Sequence, residues 1–409
     1  MAKKTVADLN FSGKCALMRA DFNVPLDDAG HITDDRRIRA ALPTIRKILD
    51  DGGRLILMSH LGRPEGAPDP KYSLAPVARR LGEILERKVP LAPDCVGPEV
   101  AAMAKGLQAG GCMVLENLRF HEAEVIKDKK AKDDAGLRAK KDGFAKALAS
   151  LADVYVNDAF GTCHRDNASM LTVPQMMEGK PRVVGFLIKK ELEFLGGALT
   201  SPKRPFVVIL GGAKVSDKIG VIEHLTTRCD TILVGGAMAY TFMAADGLAT
   251  GNSKVEKDFI EEAKRLKQHA GEKLKLPTDS VVAAKLEPGA ATQVAGGAIP
   301  EGMMGLDIGP ETVKTYEKII AGAQTVVWNG PMGVFETPPF DRGTLAVAAA
   351  LATATDKGAV TIIGGGDSAA AVEAADLADR MSHVSTGGGA SLEFLEGKKF
   401  APLEVLDEA

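Results

Sequence analysis

Short apolar runs recur along the chain with longer amphipathic stretches between them, and this alternation limits the fold more than any other feature. The runs are Leu55-Ile56-Leu57-Met58, Val154-Tyr155-Val156, Phe206-Val207-Val208-Ile209-Leu210, Thr231-Ile232-Leu233-Val234, Thr325-Val326-Val327-Trp328 and Val360-Thr361-Ile362-Ile363. They are continuous rather than alternating. A strand that is apolar at every position is buried on both faces, as in a parallel sheet covered by helices. The clearest helical stripe carries Ile38, Ala41, Leu42, Ile45, Ile48 and Leu49, with Asp34 and Asp35 placed to cap its start and Gly52-Gly53 to end it. Repeated strand–helix order predicts an α/β protein with two doubly wound parallel-sheet, Rossmann-like domains.

At 409 residues the chain exceeds one hydrophobic core, so two domains are expected. Residues 185–199 read as helical, and Ser201-Pro202-Lys203-Arg204-Pro205 then breaks the chain before a new strand. The expected division is 1–174, a hinge and helix over 175–199, a second domain over 200–393, and a C-terminal segment, 394–409. The charge-rich stretch 127–141 reads as a solvated helix face or loop.

A net charge of −3 supplies no global attraction to nucleic acid or to an anionic membrane. No apolar run is long enough to span a bilayer, and Met1-Ala2-Lys3-Lys4-Thr5 leads into polar sequence with no signal-peptide core. Cys15, Cys95, Cys112, Cys163 and Cys229 lack C-x-x-C spacing and read as reduced thiols of a cytoplasmic protein. Anion binding, if present, must come from local clusters.

Such clusters follow the strands of the first half. Arg19-Ala20-Asp21-Phe22-Asn23, Ser59-His60-Leu61-Gly62-Arg63, Glu116-Asn117-Leu118-Arg119-Phe120-His121 and Asn157 to Arg165 each bring arginine or histidine to a strand end. Ligands of α/β sheets sit at those carboxyl-end loops, and guanidinium groups pair with carboxylate and phosphate. Arg36, Arg37, Arg39 and Arg46 crowd one helix, and their types alone do not select among them. In the second half, glycine-rich turns follow strands at Gly211-Gly212-Ala213-Lys214, Gly364-Gly365-Gly366-Asp367-Ser368 and Gly387-Gly388-Gly389. Glycines there let backbone N–H groups approach phosphate. Lys214 and Lys218 are four apart, so a helix would place both on one face. Asp367 offers a hard oxygen ligand suited to Mg²⁺ held together with nucleotide phosphates.

The chain resembles the phosphoglycerate kinase family in R-A-D-F-N-V-P, R-I-x-A-A-L-P-T-I, S-H-L-G-R-P, L-E-N-L-R-F and V-N-D-A-F-G-T-x-H-R. The likeness continues through G-G-A-K-V-x-D-K-I, L-D-I-G-P, V-V-W-N-G-P-M-G-V-F-E and G-G-G-D-S. The resemblance implies that Asp21, Asn23, Arg37, His60, Arg63, Arg119 and Arg165 hold 3-phosphoglycerate, with Arg37 facing the transferring group. It implies that Lys218 binds nucleotide phosphate and that Lys214 faces the phosphoryl group in flight. Gly309 and Asn329 would line the nucleotide pocket, Glu336 would reach the ribose, and Gly365, Gly366, Asp367 and Ser368 would complete the site, with Asp367 holding Mg²⁺. The turn at Gly387 and Gly388 would present N–H groups to the phosphates. The terminal segment would return to the first domain, and the molecule would be a monomer.

Two positions depart from the family's usual pattern. Asn167 stands where a histidine is usual, which bears on a peripheral basic contact, and Met303 stands where tryptophan is frequent, which bears on packing. The implied reaction is reversible phosphoryl transfer between 1,3-bisphosphoglycerate and MgADP, giving 3-phosphoglycerate and MgATP. Its acceptor carboxylate needs no general base, because its pKa lies near ~3.5–4. The rival readings are a dinucleotide-binding oxidoreductase, from the loose match Gly364-x-Gly366-x-x-Ala369, and a non-catalytic relative. A P-loop NTPase fails because no G-x-x-x-x-G-K-[ST] occurs.

Overall fold

The computed structural model describes residues 2–64 and 66–409. The chain divides into two compact units, Met1–Glu193 with Lys399–Ala409, and Phe194–Lys398. In the first unit, β1 (Cys15–Ala20), β2 (Arg54–Met58), β3 (Cys112–Val114), β4 (Val154–Asp158) and β5 (Arg182–Val184) form a parallel sheet in the order β3-β2-β1-β4-β5. Every residue of β1 and β4 is buried, as continuous apolar runs require when helices cover both faces. The helix Arg36–Asp50 lays Ile38, Ala41, Ile45, Ile48 and Leu49 on this core. Its start is capped by Asp34, whose carboxylate accepts the Arg36 N–H at 2.9 Å, rather than by the Asp35 side chain.

The C-terminal residues pack in this unit. The buried Lys3 ammonium donates to Leu406 O at 2.8 Å and Glu408 at 2.6 Å, and Arg182 N donates to Asp407 at 3.0 Å. The reading of 127–141 as a solvated face needs one correction. Lys141 is fully buried, and its ammonium donates to Asp128 at 2.7 Å and to Asp166 O at 2.6 Å. Those partners lie beyond its own helix, Ala135–Ala149, so local spacing could not reveal them.

In the second unit, β6 (Phe206–Leu210), β7 (Thr231–Val234), β8 (Leu274–Lys275), β12 (Thr325–Asn329), β13 (Val360–Gly364) and β14 (His383–Val384) form a parallel sheet. Its order is β14-β13-β12-β6-β7-β8. A separate antiparallel sheet, β10-β9-β11, is built from β9 (Asp279–Ala283), β10 (Gln293–Gly296) and β11 (Met304–Ile308), and the sequence reading did not anticipate it. Met303 packs beside it, partly buried, against Tyr240, Met243, Val282, Ala295 and Ile299.

Strand order reverses between β1 and β4 in one sheet and between β6 and β12 in the other. The carboxyl ends of those pairs are where an open α/β sheet leaves a crevice for ligands. No helix among the described residues is long and apolar enough to cross a membrane.

Candidate active site

At the carboxyl ends of the first unit's strands, cations cluster. Arg19, at the end of β1, is 1% exposed; its Nε donates to Ser169 Oγ at 3.1 Å and its Nη2 meets His60 Nδ1 at 3.1 Å. A guanidinium only donates, so His60 Nδ1 accepts, and the neutral ring carries its proton on Nε2. Burial holds the His60 pKa well below the ordinary value; Arg19, Arg119 and Arg165 push the same way, and Asp21 opposes them. His60 is therefore a neutral hydrogen-bond donor.

Arg119 follows β3 in a short turn, Leu118–Phe120, that is pinned by Asn117, whose Oδ1 accepts the Arg119 N–H at 3.0 Å. Its Nη1 donates to Gly62 O at 2.6 Å, while its Nε is buried with no hydrogen-bond partner. Burial lowers the Arg119 pKa to about 10, and Arg165, Arg19 and Arg63 add to the effect against Glu124. A buried, unsatisfied guanidinium donor among like charges is a place prepared for an anion.

The other predicted residues lie around this cluster. Asp21 accepts a short hydrogen bond from Arg37 Nη1, and Asn23 Oδ1 accepts the Gly62 N–H at 2.8 Å. Burial works against the charge on Asp21, yet the Arg37 and Arg19 guanidinium groups and the Asn23 N–H favour it, and the carboxyl stays below the ordinary range. Arg165 is half-buried and donates from Nε to His164 at 3.1 Å, and Arg63 is exposed. Arg19, Ser169 and Glu124 have no assigned role in the sequence reading. Glu124 is fully buried and accepts from Ser169 Oγ at 2.6 Å, so it orients the hydroxyl that holds Arg19. Asn167 donates to the same carboxylate at 3.2 Å, which gives it a structural partner in place of a ligand contact.

In the second unit Gly211 follows β6, and its backbone runs against the loop after β12. A Cβ at Gly211 would lie 2.1 Å from Pro331 O and 2.5 Å from Gly330 O. The two lysines do not share a helix face. The helix Ile219–Thr226 begins only after Lys218, Lys214 is exposed in the preceding loop, and Lys218 is buried. Glu256 shapes this loop by accepting Ser216 N at 3.1 Å and Ser216 Oγ at 2.6 Å. Lys218 donates a short hydrogen bond to Asn329 at the end of β12. Burial lowers its pKa to about 8, against the pull of Asp217, Asp367 and Glu396.

A cavity of ≈ 430 Å³ is lined by Gly212, Ala213, Leu306, Val334, Glu336 and Asp367 among others. Gly309 and Asn329 are not in that lining. Gly309 donates its N–H to Asp279 O at 2.9 Å and lacks a side chain where Asp279 caps the helix Pro310–Ala321 through Thr312 N at 2.8 Å. Asn329 instead holds Lys218 and packs against Gly365. Ser368 is buried and accepts the Gly330 N–H at 2.6 Å, joining the helix Gly366–Ala374 to the β12 loop. The Gly387 N–H is turned to Ser385 Oγ at 3.1 Å, and Gly388 precedes the helix Gly389–Leu395.

The sequence pattern of the phosphoglycerate kinase family matches residues 6–398. The phosphoglycerate kinase of Rhodopirellula baltica is 56% identical over 100% of both chains. The chloroplastic phosphoglycerate kinase of Volvox carteri is 53% identical over 99% of this chain and 86% of that protein. The structure of phosphoglycerate kinase from Coxiella burnetii matches with a TM-score of 0.86 at 40% identity, over 98% of each chain. That of the Pyrococcus horikoshii enzyme matches at 0.82 and 31%, again over 98% of each chain.

The chain belongs to the phosphoglycerate kinase family. It is a kinase, and neither the oxidoreductase nor the non-catalytic reading has support. For a phosphoglycerate kinase the implied metal is Mg²⁺, and the residues present fit it. Asp367 is an exposed carboxylate in the first turn of the helix Gly366–Ala374, it lines the cavity, and it is near enough to Lys218 to act on its charge. A carboxylate oxygen is the hard ligand Mg²⁺ takes, and the lysine and helix start beside it suit the nucleotide phosphates that would share the ion.

Proposed function

We propose that the chain catalyses reversible phosphoryl transfer between 1,3-bisphosphoglycerate and MgADP, yielding 3-phosphoglycerate and MgATP in glycolysis and gluconeogenesis. The observation that carries this reading is the anion cradle of Arg19, His60, Arg119 and Arg165, with its buried, unpaired Arg119 Nε. A small multiply charged anion satisfies that donor and relieves the repulsion among the guanidinium groups.

In the direction that consumes ATP, a carboxylate oxygen of 3-phosphoglycerate attacks the γ-phosphorus while the bond to the bridging oxygen of ADP breaks. No proton moves. The protein aligns the reactants and stabilises charge on the equatorial oxygens. His60 Nε2–H, Asn23, Arg63, Arg119 and Arg165 orient the acid, and Asp21 steadies Arg37, which faces the phosphoryl group. Lys214 is assigned to the phosphoryl group as well, and Lys218, steadied by Asn329, holds the nucleotide phosphates with the glycines at 365, 366 and 388, the Gly387 N–H being taken by Ser385. Glu336 takes the ribose, and Ser368 fixes the phosphate turn. Bound through Asp367 together with the nucleotide, Mg²⁺ would neutralise phosphate charge.

Because each unit carries part of the machinery, residues 175–199 are read as the hinge between domains at 1–174 and 200–393, with 394–409 as a terminal segment returning to the first. Within that stretch the helix Phe186–Glu191 passes into a π-helical turn, Leu192–Gly196, a form associated with functional sites. Five buried, unpaired cysteines accord with a cytoplasmic protein. The large exposed apolar side chains, such as Val125, Met176 and Leu248, lie on separate elements, which accords with a monomer.

The test is a coupled assay for ADP formation from ATP and 3-phosphoglycerate. Wild type should turn over, and Arg37→Ala and Lys214→Ala should each lose about 10²–10³ in turnover, as expected for a lost transition-state contact. Near-normal rates in both variants would overturn the assignment.

A further inference from the structure

The helix that carries Arg37 is tied to the helix at the end of the first unit through a buried junction that none of the roles above uses. Asp158, the last residue of β4, is 1% exposed. Its Oδ1 accepts the N–H groups of Leu187 at 3.0 Å and Ile188 at 3.2 Å, at the start of the helix Phe186–Glu191. The remaining N–H of that turn, Phe186, donates at 2.8 Å to Thr44 Oγ1, on the Arg37 helix. Thr44 is fully buried; burial raises the Asp158 carboxyl to about 7, and the nearby Thr44 hydroxyl and the Ile188 and Leu187 N–H groups oppose it, although no well-formed hydrogen bond reaches Oδ2. Room for this contact depends on Gly185, where a Cβ would fall 2.2 Å from the Asp158 carboxyl carbon.

Thr44 and Arg37 are seven residues apart. Seven residues complete almost two helical turns, so both project from nearly the same face, about 10 Å apart along the axis. Thr44 therefore sets, together with the buried stripe of Ile38, Ala41, Ile45, Ile48 and Leu49, the rotation of the helix about its axis and the direction in which Arg37 extends. The single ion pair from Arg37 to Asp21 does not set that rotation, because a guanidinium on a long, flexible side chain can follow a shifted partner.

We propose that Thr44 and Asp158 are positioning residues for the phosphoryl-transfer step, acting through Arg37 by locking its helix to the start of the helix Phe186–Glu191. This inference rests on the role given to Arg37 under the proposed function. His60, Arg63, Arg119 and Arg165 lie outside the helices Arg36–Asp50 and Phe186–Glu191. Losing the lock should therefore lower kcat and leave KM for 3-phosphoglycerate and for ATP within a few-fold of wild type.

The experiment is a double-mutant cycle on the full chain, with Thr44→Val, Arg37→Ala and the pair. Thr44→Val should lower kcat by roughly 10- to 100-fold, the range expected when a catalytic group is displaced by about 1 Å. Thr44→Ser, which keeps the hydroxyl, should restore most of it. In the Arg37→Ala background Thr44→Val should cost no further turnover, because its effect passes through a side chain already removed. A purely structural role would instead give independent losses that multiply. If Thr44→Val does not fold, Asp158→Asn, which keeps one oxygen for Leu187 and Ile188, is the milder probe and should show the same dependence on Arg37. Multiplying losses, or wild-type turnover in a folded variant of either residue, would overturn the inference and leave the proposed function intact. Normal turnover in Arg37→Ala would remove the inference together with the role given to Arg37.

Discussion

Gly211→Ala tests how tightly the second unit's crevice is built. The added Cβ would lie 2.1 Å from Pro331 O, 2.5 Å from Gly330 O and 2.7 Å from the Met332 methyl carbon. Met332 can rotate, but the two carbonyls belong to backbone that follows β12 and cannot. A carbon–oxygen contact relaxes near ~3.2 Å, so the loops after β6 and β12 must separate by about 1 Å. Overpacking of that kind costs about 1–3 kcal/mol of stability. The larger effect should fall on turnover, because one of those loops leads to Lys214 and Lys218 and the other follows Asn329, which Lys218 contacts. A displacement of about 1 Å can cost roughly 10²-fold. The assay is steady-state turnover with MgATP and 3-phosphoglycerate beside thermal unfolding, with Gly143→Ala as control. Gly143 lies within the helix Ala135–Ala149 with nothing within 4 Å of its would-be Cβ, so alanine there should stabilise by about 0.5–1 kcal/mol. Turnover of Gly211→Ala within a factor of about 3 of wild type, against the loss expected from such a displacement, would refute the argument.

Lys141→Met removes a fully buried ammonium and leaves the half-exposed Asp128 without its closest partner, so unfolding in urea should show a loss of about 2–3 kcal/mol with kcat unchanged. Burial raises the Asp307 carboxyl to about 7, against the N–H groups of Gly343 and Ile308 that favour its charge. The folded protein thus holds a proton that the unfolded chain has released. This contribution to stability is present in full below pH ~4 and is lost as pH rises through ~7, where it levels off. Asp307→Asn should flatten that part of the stability–pH curve relative to wild type, and parallel curves from pH ~5 to ~8 would contradict it.

The parallel sheets were legible because each strand announces itself by continuous apolarity, a purely local property. The antiparallel sheet was not, since β10 (Gln293–Gly296) exposes Gln293, Val294 and Gly296 and β9 begins with Asp279, so neither forms an unbroken run. Likewise, the loop that precedes the late helix start after Lys218 is held by Ser216 bonding to Glu256, 40 residues away. The burial of Lys141 depends on Asp166, 25 residues on. Motif matching singled out Arg37, Arg119, Arg165 and Asp367 as expected site residues but gave no role to Arg19, whose orientation comes from Ser169, 150 residues distant. What the sequence withheld throughout was the partner that orients a side chain, because nothing in a residue's own neighbourhood encodes a contact made after the chain has folded back.

That omission matters most at His60. Read from sequence, a histidine amid arginines could serve as one more cation for an anionic substrate. The geometry opposes this. Arg19 occupies Nδ1 as a donor, and Arg119 and Arg165 make a further positive charge unfavourable, so a proton there would cost both a hydrogen bond and repulsion at close range. A neutral Nε2–H still donates to a carboxylate or phosphate oxygen, and it does so without deepening the repulsion that already lowers the Arg119 pKa. The cluster can therefore stay packed when no substrate is bound. Arg19 enforces that tautomer while Ser169 and the buried Glu124 hold Arg19 in place, so the chemistry of the cradle depends on a buried chain of side chains behind it.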